Sequence, residues 1–226
     1  MSKKIIVFAP HPDDETLGCG GTIAKKISEG YEVLVVVITD GRHSFSKGLG
    51  IDSDPAPEEV KEIRRDEVKR ATKILGVQEE NLAFLNFVDG TLEESESEVQ
   101  EKVINILREN TPLEIYFPYE KDCHPDHRAT NRIVSNAVNK LGIEPIDYRY
   151  MISHKYARVG PLINALLDLF RRNIVYVGVS KYLPLKKAAL KEFRSELSII
   201  SKRQSKPRTK NFKKFLKEKE KFYIST

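Results

Sequence analysis

Short apolar runs alternate with amphipathic segments from the start of the chain, and this alternation restricts the fold more than any other feature. "KIIVFA" precedes a helix-like stretch from Thr16 to Glu29, and "EVLVVVIT" precedes another from Glu58 to Leu75. "LAFLNF", a helix from about Ser97 to Arg108, "LEIYF" and a helix opening after His127 continue the series. Runs that stay apolar at every position suit parallel strands buried on both faces by helices. The expectation is one α/β domain over residues 1–226 with a mostly parallel central sheet. Past Leu141 the pattern weakens: "IDYRYMIS", "NIVYVGV" and a lysine-rich helix from about Leu185 to Ser201 fit either an extended sheet or a small cap.

Composition narrows the class. A chain of 226 residues with 40% hydrophobic content can bury a core of its own. Its longest apolar run, Val33 to Ile38, is far short of the ~20 residues that span a bilayer. The lysine pair near the N-terminus leads into a strand rather than a signal peptide, and Cys19 and Cys123 are too few for a disulfide framework. These features predict a cytoplasmic protein without a membrane span. Net charge is +5, but Lys202 to Thr226 carries ten Lys or Arg against two Glu. Phe212, Phe215, Leu216 and Phe222 make this basic segment, about 202–226, read as a solvated helix docked by its aromatic face. No recognition motif accompanies it, so nucleic acid is not an expected partner.

In an open parallel sheet, ligands bind beyond the carboxyl ends of the strands. Three such positions carry polar clusters: "PHPDDE" after the first strand, "TDG" after the second, and "YEKDCHPDH" after "LEIYFP". Two His-Pro-Asp tripeptides thus stand at strand ends. His11 and Asp14 lie in a loop stiffened by Pro10 and Pro12, and their spacing lets both side chains converge. Imidazole with carboxylate suits Zn²⁺ or another divalent ion. A further imidazole from His124 or His127 would complete three ligands and leave a position open, as in catalytic rather than structural zinc sites. Such an ion acidifies a water to a pKa of about 7 and polarises a carbonyl, and the neighbouring Asp13 is placed to take a proton.

Other readings compete. Asp13, Asp14 and Glu15 also suit the first turn of a helix, where its dipole favours acids, but "HPDH" is then left unexplained. "GCGG" lacks the G-x-G-x-x-G spacing, so Gly18, Gly20 and Gly21 read as close helix packing rather than a dinucleotide loop. His43, in the long stretch from Thr39 to Glu59, and His154 read as surface or packing residues, while the long stretch itself reads as pocket wall.

With those residues placed, "APHPDDE" and "HPDH" resemble the LmbE-like, or PIG-L, family of metal-dependent N-acetylglucosaminyl deacetylases. The resemblance implies a Rossmann-like three-layer sandwich, the LmbE-like deacetylase fold. It also implies zinc ligands His11, Asp14 and His127, a general base Asp13, a protonated His124 acting as acid or oxyanion stabiliser, and Asp126 supporting His124. "RRDEVKRATKILGV" resembles the family's helix with a substrate-binding arginine, here Arg64, and Asp89 falls where a substrate-side aspartate is frequent. "KKAALKEFRSEL" departs from the family pattern: Phe193, Ser195 and Glu196 stand where a histidine or tyrosine and a Ser-Gln pair are usual. Some members carry a tyrosine two residues before "HPDH"; here that residue is Asp122, with Tyr119 nearby.

The implied function is zinc-dependent hydrolysis of an acetyl group from an N-acetylglucosamine-type sugar or conjugate, a small-molecule substrate, with homo-oligomerisation left open. One alternative is a metal-dependent amidohydrolase for another small N-acyl conjugate. Another, from a different class, is a non-catalytic module that binds polyanions through the basic segment.

Overall fold

The unbroken apolar runs become central strands because successive side chains point to opposite faces and both faces are covered. The computed structural model describes residues 3–153, 173–209 and 212–225. Its strands are β1 (Lys4–Ala9), β2 (Glu32–Thr39), β3 (Leu82–Phe87), β4 (Glu114–Pro118), β5 (Ile146–Tyr150), β6 (Ile174–Gly178) and β7 (Lys219–Tyr223). They form one sheet in the order β3-β2-β1-β4-β5-β7-β6. The first five are parallel, and β7 lies antiparallel between β5 and β6. The expected mostly parallel α/β sheet is therefore present.

Helices α1 (Asp14–Ser28), α3 (Pro57–Leu75) and α6 (Leu183–Leu190) cover one face, and α4 (Glu96–Asn110) and α5 (Pro125–Leu141) cover the other. Ile5, Val7 and Ala9 of β1 join Leu17, Ile23, Val68 and Leu75 on the first side. Ile6 and Phe8 join Val99, Val103, Leu107 and Ile133 on the second. Each such fully buried side chain contributes about 1.5–3 kcal/mol. Two short helices, α2 (Ser44–Leu49) and α7 (Arg194–Leu197), stand nearer the strand ends. Gly76, at φ +97°, closes α3 in the left-handed conformation that favours glycine. Among the described residues, no helix is long and apolar enough to cross a membrane.

The glycines of α1 pack as expected. A Cβ on Gly18 would lie 2.6 Å from Tyr150 Cδ2, and one on Gly21 would lie 2.7 Å from Val179 Cβ. A larger residue at either position would hold the helix away from its neighbours.

The C-terminal segment differs from its helical expectation. Residues 213–215 make a single 3-10 turn, and 219–223 form β7. The misleading position is Glu220, an acid that points inward. Its carboxylate accepts hydrogen bonds from the Gly21 and Thr22 N–H groups, Thr22 Oγ1 and Lys186 Nζ. A satisfied buried charge interrupts the apolar alternation that would have identified a strand. Phe222, read as part of a helical face, instead packs edge-on against Tyr116 and Tyr148. The lysine-rich helix is also divided: α6 ends at Leu190, and α7 begins after the fully buried Phe193.

Candidate active site

Strands β1 and β4 are hydrogen-bonded neighbours, Val7 opposite Tyr116, so the loops that leave their carboxyl ends meet. This adjacency brings "HPDDE" to "DCHPDH" across more than a hundred residues. The first loop turns sharply at Asp13, whose φ of +105° lies in the left-handed region and costs about 1–3 kcal/mol for a non-glycine residue. That turn starts α1 at Asp14. Glu15 stabilises the turn, accepting from the Asp13 N–H at 3.1 Å and from Thr16 Oγ1 at 2.6 Å. The second loop ends in His124, the N-cap of α5, with Pro125 in the first turn.

Three atoms converge. His11 Nδ1 lies 3.1 Å from Asp14 Oδ2, His127 Nε2 lies 3.1 Å from the same oxygen, and the two ring nitrogens are 3.2 Å apart. Tetrahedral coordination with bonds of about 2.0–2.1 Å separates ligand atoms by roughly 3.3–3.4 Å. The triangle is close to one face of such a tetrahedron. As hydrogen bonding alone it is poorly arranged, because two ring nitrogens that both donate to one oxygen oppose each other's hydrogens. The donor set fits a divalent ion. His11, His124 and His127 also form a group whose donor atoms lie within 4.8 Å of one another, a looser set than the triangle with Asp14.

The remaining ring nitrogens of the two histidines in the triangle face carboxylates. His11 Nε2 is 2.9 Å from Asp126 Oδ2, and His127 Nδ1 faces Asp122 Oδ2 at 3.3 Å, within ion-pair range but not aligned as a hydrogen bond. Asp122 is fixed by the His124, Ile152 and Ser153 N–H groups, and Asp126 by those of Gly90 and Leu92. Carboxylates behind imidazoles orient the rings of metal sites.

The electrostatics show a shortage of positive charge. Burial disfavours charge on His11, yet its bonds to Asp126 and Asp14 overcome this and lift the ring to about 9. Burial also opposes charge on His127, but Asp14 and Asp122 raise it to about 10. Asp14, despite burial, is held far below the usual carboxylate range by His127 and His11. A cation in the triangle would supply the charge that these rings otherwise take from protons.

His124 behaves differently. Its Nδ1 accepts the Asp126 N–H at 3.2 Å, and burial followed by the nearby His11 and His127 lowers its pKa to about 4. With Nδ1 turned to the Asp126 N–H, Nε2 is the ring nitrogen left to carry a hydrogen toward the cavity. The Asp126 carboxylate holds His11, whereas only its backbone N–H reaches His124.

Asp13 lies beside the triangle, on the wall of a cavity of about 460 Å³. Its Oδ2 is 3.0 Å from Arg64 Nη2. Arg64, only 2% exposed, also donates to Pro12 O and Glu196 Oε1, and Glu196 receives Arg208 as well. Both terminal nitrogens of Arg64 thus contact protein acceptors, while the residue also lines the cavity. Burial raises the Asp13 carboxyl well above its usual range; Arg64 opposes the rise and Glu196 adds to it.

The long stretch after β2 contributes Gly41, His43, Ser44 and Lys47 to the cavity wall, as its length suggested. His43 is thus more than a surface residue: its N–H donates to Asp89 Oδ1, which fixes a second predicted residue at the cavity. His154 lies outside the described residues. Asp122, Glu196 and Arg208 were not assigned roles from sequence. Asp122 had a signal in its place two residues before "HPDH", and Glu196 in its place at the family's Ser-Gln pair; Arg208 had none, since it reaches the site through Glu196.

The chain matches the family described as PIG-L, GlcNAc-PI de-N-acetylase, over residues 6–138. It is 30% identical over 189 residues to a probable N-acetyl-alpha-D-glucosaminyl L-malate deacetylase 2 of Bacillus cereus, covering 80% of this chain and 84% of that protein. Identity to the diacetylchitobiose deacetylase of Thermococcus kodakarensis is 32% over 146 residues, 62% of this chain and 51% of that one. Among solved structures, the N,N'-diacetylchitobiose deacetylase from Pyrococcus horikoshii superposes with a TM-score of 0.72 at 25% identity, over 99% of this chain and 84% of the other.

Proposed function

Since the chain belongs to the PIG-L family, we propose that it is an amide hydrolase that removes the acetyl group from an N-acetylglucosamine-type sugar or conjugate, with Zn²⁺ held by His11, Asp14 and His127. The supporting observation is the triangle of donor atoms at 3.1–3.2 Å with Asp13 beside it at the cavity. An ion bound there supplies Lewis-acid polarisation of the acetamide carbonyl and acidifies a water.

The chain's own residues do the rest. Asp13 takes a proton from the attacking water, its carboxylate aimed by Arg64 and by the left-handed turn of its own backbone. His124 offers an Nε2–H to the oxygen that gains charge in the tetrahedral intermediate, since Nδ1 is occupied by the Asp126 N–H. The proton on Asp13 then passes to the departing nitrogen as the C–N bond breaks. Water and amide are consumed; acetate and a free amino sugar are formed. Asp89 and Ser44 stand on the cavity wall where substrate hydroxyls would lie, and Arg64 acts through Asp13 rather than on substrate. Both cysteines are unpaired, which agrees with a reducing cytoplasmic setting.

The test is acetate release from a panel of N-acetylglucosaminides by metal-replete protein, with metal content measured on the same sample. Release coupled to roughly one Zn²⁺ per chain supports the reading. A metal-loaded protein that releases no acetate from any of them would sink it.

A further inference from the structure

We propose that Arg208 is a specificity-determining residue that donates to a neutral hydroxyl of the substrate from the wall of the catalytic cavity; this rests on the deacetylase reading above. The carboxylate at position 196 brings it there. Where the family pattern carries the glutamine of a Ser-Gln pair, this chain has Glu196, and its Oε1 receives Nη1 of both Arg64 and Arg208. An amide would offer neither guanidinium a counter-charge. The Thr209 N–H also donates to Glu196 O at 2.9 Å, so backbone and side chain fix this segment together. On its other side Arg208 rests on α2, with Cζ 5.8 Å from the centroid of the buried Phe45 ring.

Gly48 keeps one edge of this guanidinium uncovered. A Cβ built on Gly48 would stand 3.3 Å from Nε, 3.3 Å from Nη2 and 3.8 Å from Cζ of Arg208, a pattern that puts it in the guanidinium plane, in front of the Nε/Nη2 edge. The backbone of Gly48 is not left-handed, so no turn requires glycine at this place in α2, where alanine suits a helix better. What the glycine provides is space. Nε and Nη2 have no hydrogen-bond partner among the described residues, and neither is sealed from solvent as Arg64 Nε is. Gly48 and Arg208 both line the catalytic cavity. Two donors held in place and unspent on a cavity wall fit a positioned acceptor on the ligand.

Charge selects a hydroxyl over an anion. Glu196 already answers the charge of Arg208, and the carboxyl groups of Asp13 and Asp89 belong to the same cavity. A carboxylate or phosphate at Arg208 would meet these acids, whereas a hydroxyl accepts from the guanidinium without adding charge. A site built to bind a hydroxyl in this way rejects the analogue that lacks it.

Methyl N-acetylglucosaminide, N,N'-diacetylchitobiose and their analogues in which each free hydroxyl in turn is replaced by hydrogen test the proposal. Acetate release is measured for the wild type, Arg208→Met and Gly48→Ala, with the fold checked by Tm and zinc content by mass spectrometry. In the wild type one analogue should lose about tenfold or more in kcat/KM against its parent, chiefly through KM. In both variants that ratio should shrink to about twofold or less, a change that a merely structural role of either residue would not produce. Gly48→Ala leaves the Glu196 contact in place, so it separates the open edge from the ion pair and carries the test if Arg208→Met does not fold. Equal kcat/KM for the parents and all analogues in the wild type, or a ratio that survives either variant, would overturn the proposal. If no glycoside releases acetate, the deacetylase reading falls, and calorimetric binding of the same glycosides decides the role of Arg208 by itself. That role then stands only if the wild type binds a parent at least about tenfold more tightly than one analogue and Gly48→Ala loses the difference; equal binding, or none, removes it.

Discussion

Asp126 Oδ2 lies 2.9 Å from His11 Nε2 and also receives the Gly90 N–H at 2.5 Å, so the second motif orients a ring of the first. Asp126→Asn keeps the shape but removes the charge behind His11. Metal affinity should fall about 10–100-fold, read by competition with a chromophoric chelator. Unchanged affinity would mean that the contact does not tune the site.

His127→Ala and His124→Ala separate the two candidate donor sets. The first should abolish stoichiometric zinc; the second should retain it while kcat falls roughly 10²–10³-fold through loss of a hydrogen bond to the oxyanion. Zinc content by mass spectrometry, beside the rate, decides between them. Loss of zinc from His124→Ala would favour the three-histidine group.

Arg64→Met leaves Asp13 and Glu196 buried without their shared cation. Breaking such a pair costs about 3–5 kcal/mol, measurable by urea unfolding. Because Arg64 acts through Asp13, kcat should fall with KM little changed; a selective rise in KM would return Arg64 to substrate binding.

Glu67 accepts the Ser195 N–H at 2.7 Å and Ser195 Oγ at 2.6 Å, yet burial still raises its carboxyl above the usual range. The folded state therefore holds this proton more tightly than the unfolded state does. Its contribution to stability is complete below the unfolded pKa and is lost as pH rises through the folded value. Glu67→Gln should flatten that part of the Tm–pH curve. If the wild-type and variant curves stay parallel, Glu67 has no such role.

Gly18→Ala would place a Cβ 2.6 Å from the ring of Tyr150, whose hydroxyl is anchored on Phe8 O at 2.8 Å. Overpacking of this kind costs about 1–3 kcal/mol, so Tm should drop. An unchanged Tm would show that the ring moves freely.

The triangle was legible because its members sit in short motifs directly after strands, where topology dictates that loops converge. The motifs alone left His124 and His127 as alternatives, and it was the resemblance that singled out His127 beside His11 and Asp14. Arg64 was legible as a site residue, but its contacts with Asp13 and Glu196 were not, since Glu196 lies on a distant short helix. Strand β7 was hidden for a related reason: Glu220 is buried by partners on α1 and α6, and periodicity alone cannot foresee a buried charge that is satisfied. Local pattern identifies groups that work with sequence neighbours; groups completed by distant partners become visible only in the fold.

The antiparallel insertion of β7 also bears on the order of biosynthesis. Strands β1 to β5 can pair as soon as residue 150 has left the ribosome, but β5 then presents an open edge. That edge remains a site for wrong pairing until residues 219–223 emerge to occupy it. Glu220 reaches its Gly21 and Thr22 partners only at that same late moment. One five-residue strand thus both covers the β5 edge and fastens the first helix, so a nascent chain that has not yet reached residue 219 keeps that edge open to wrong pairing.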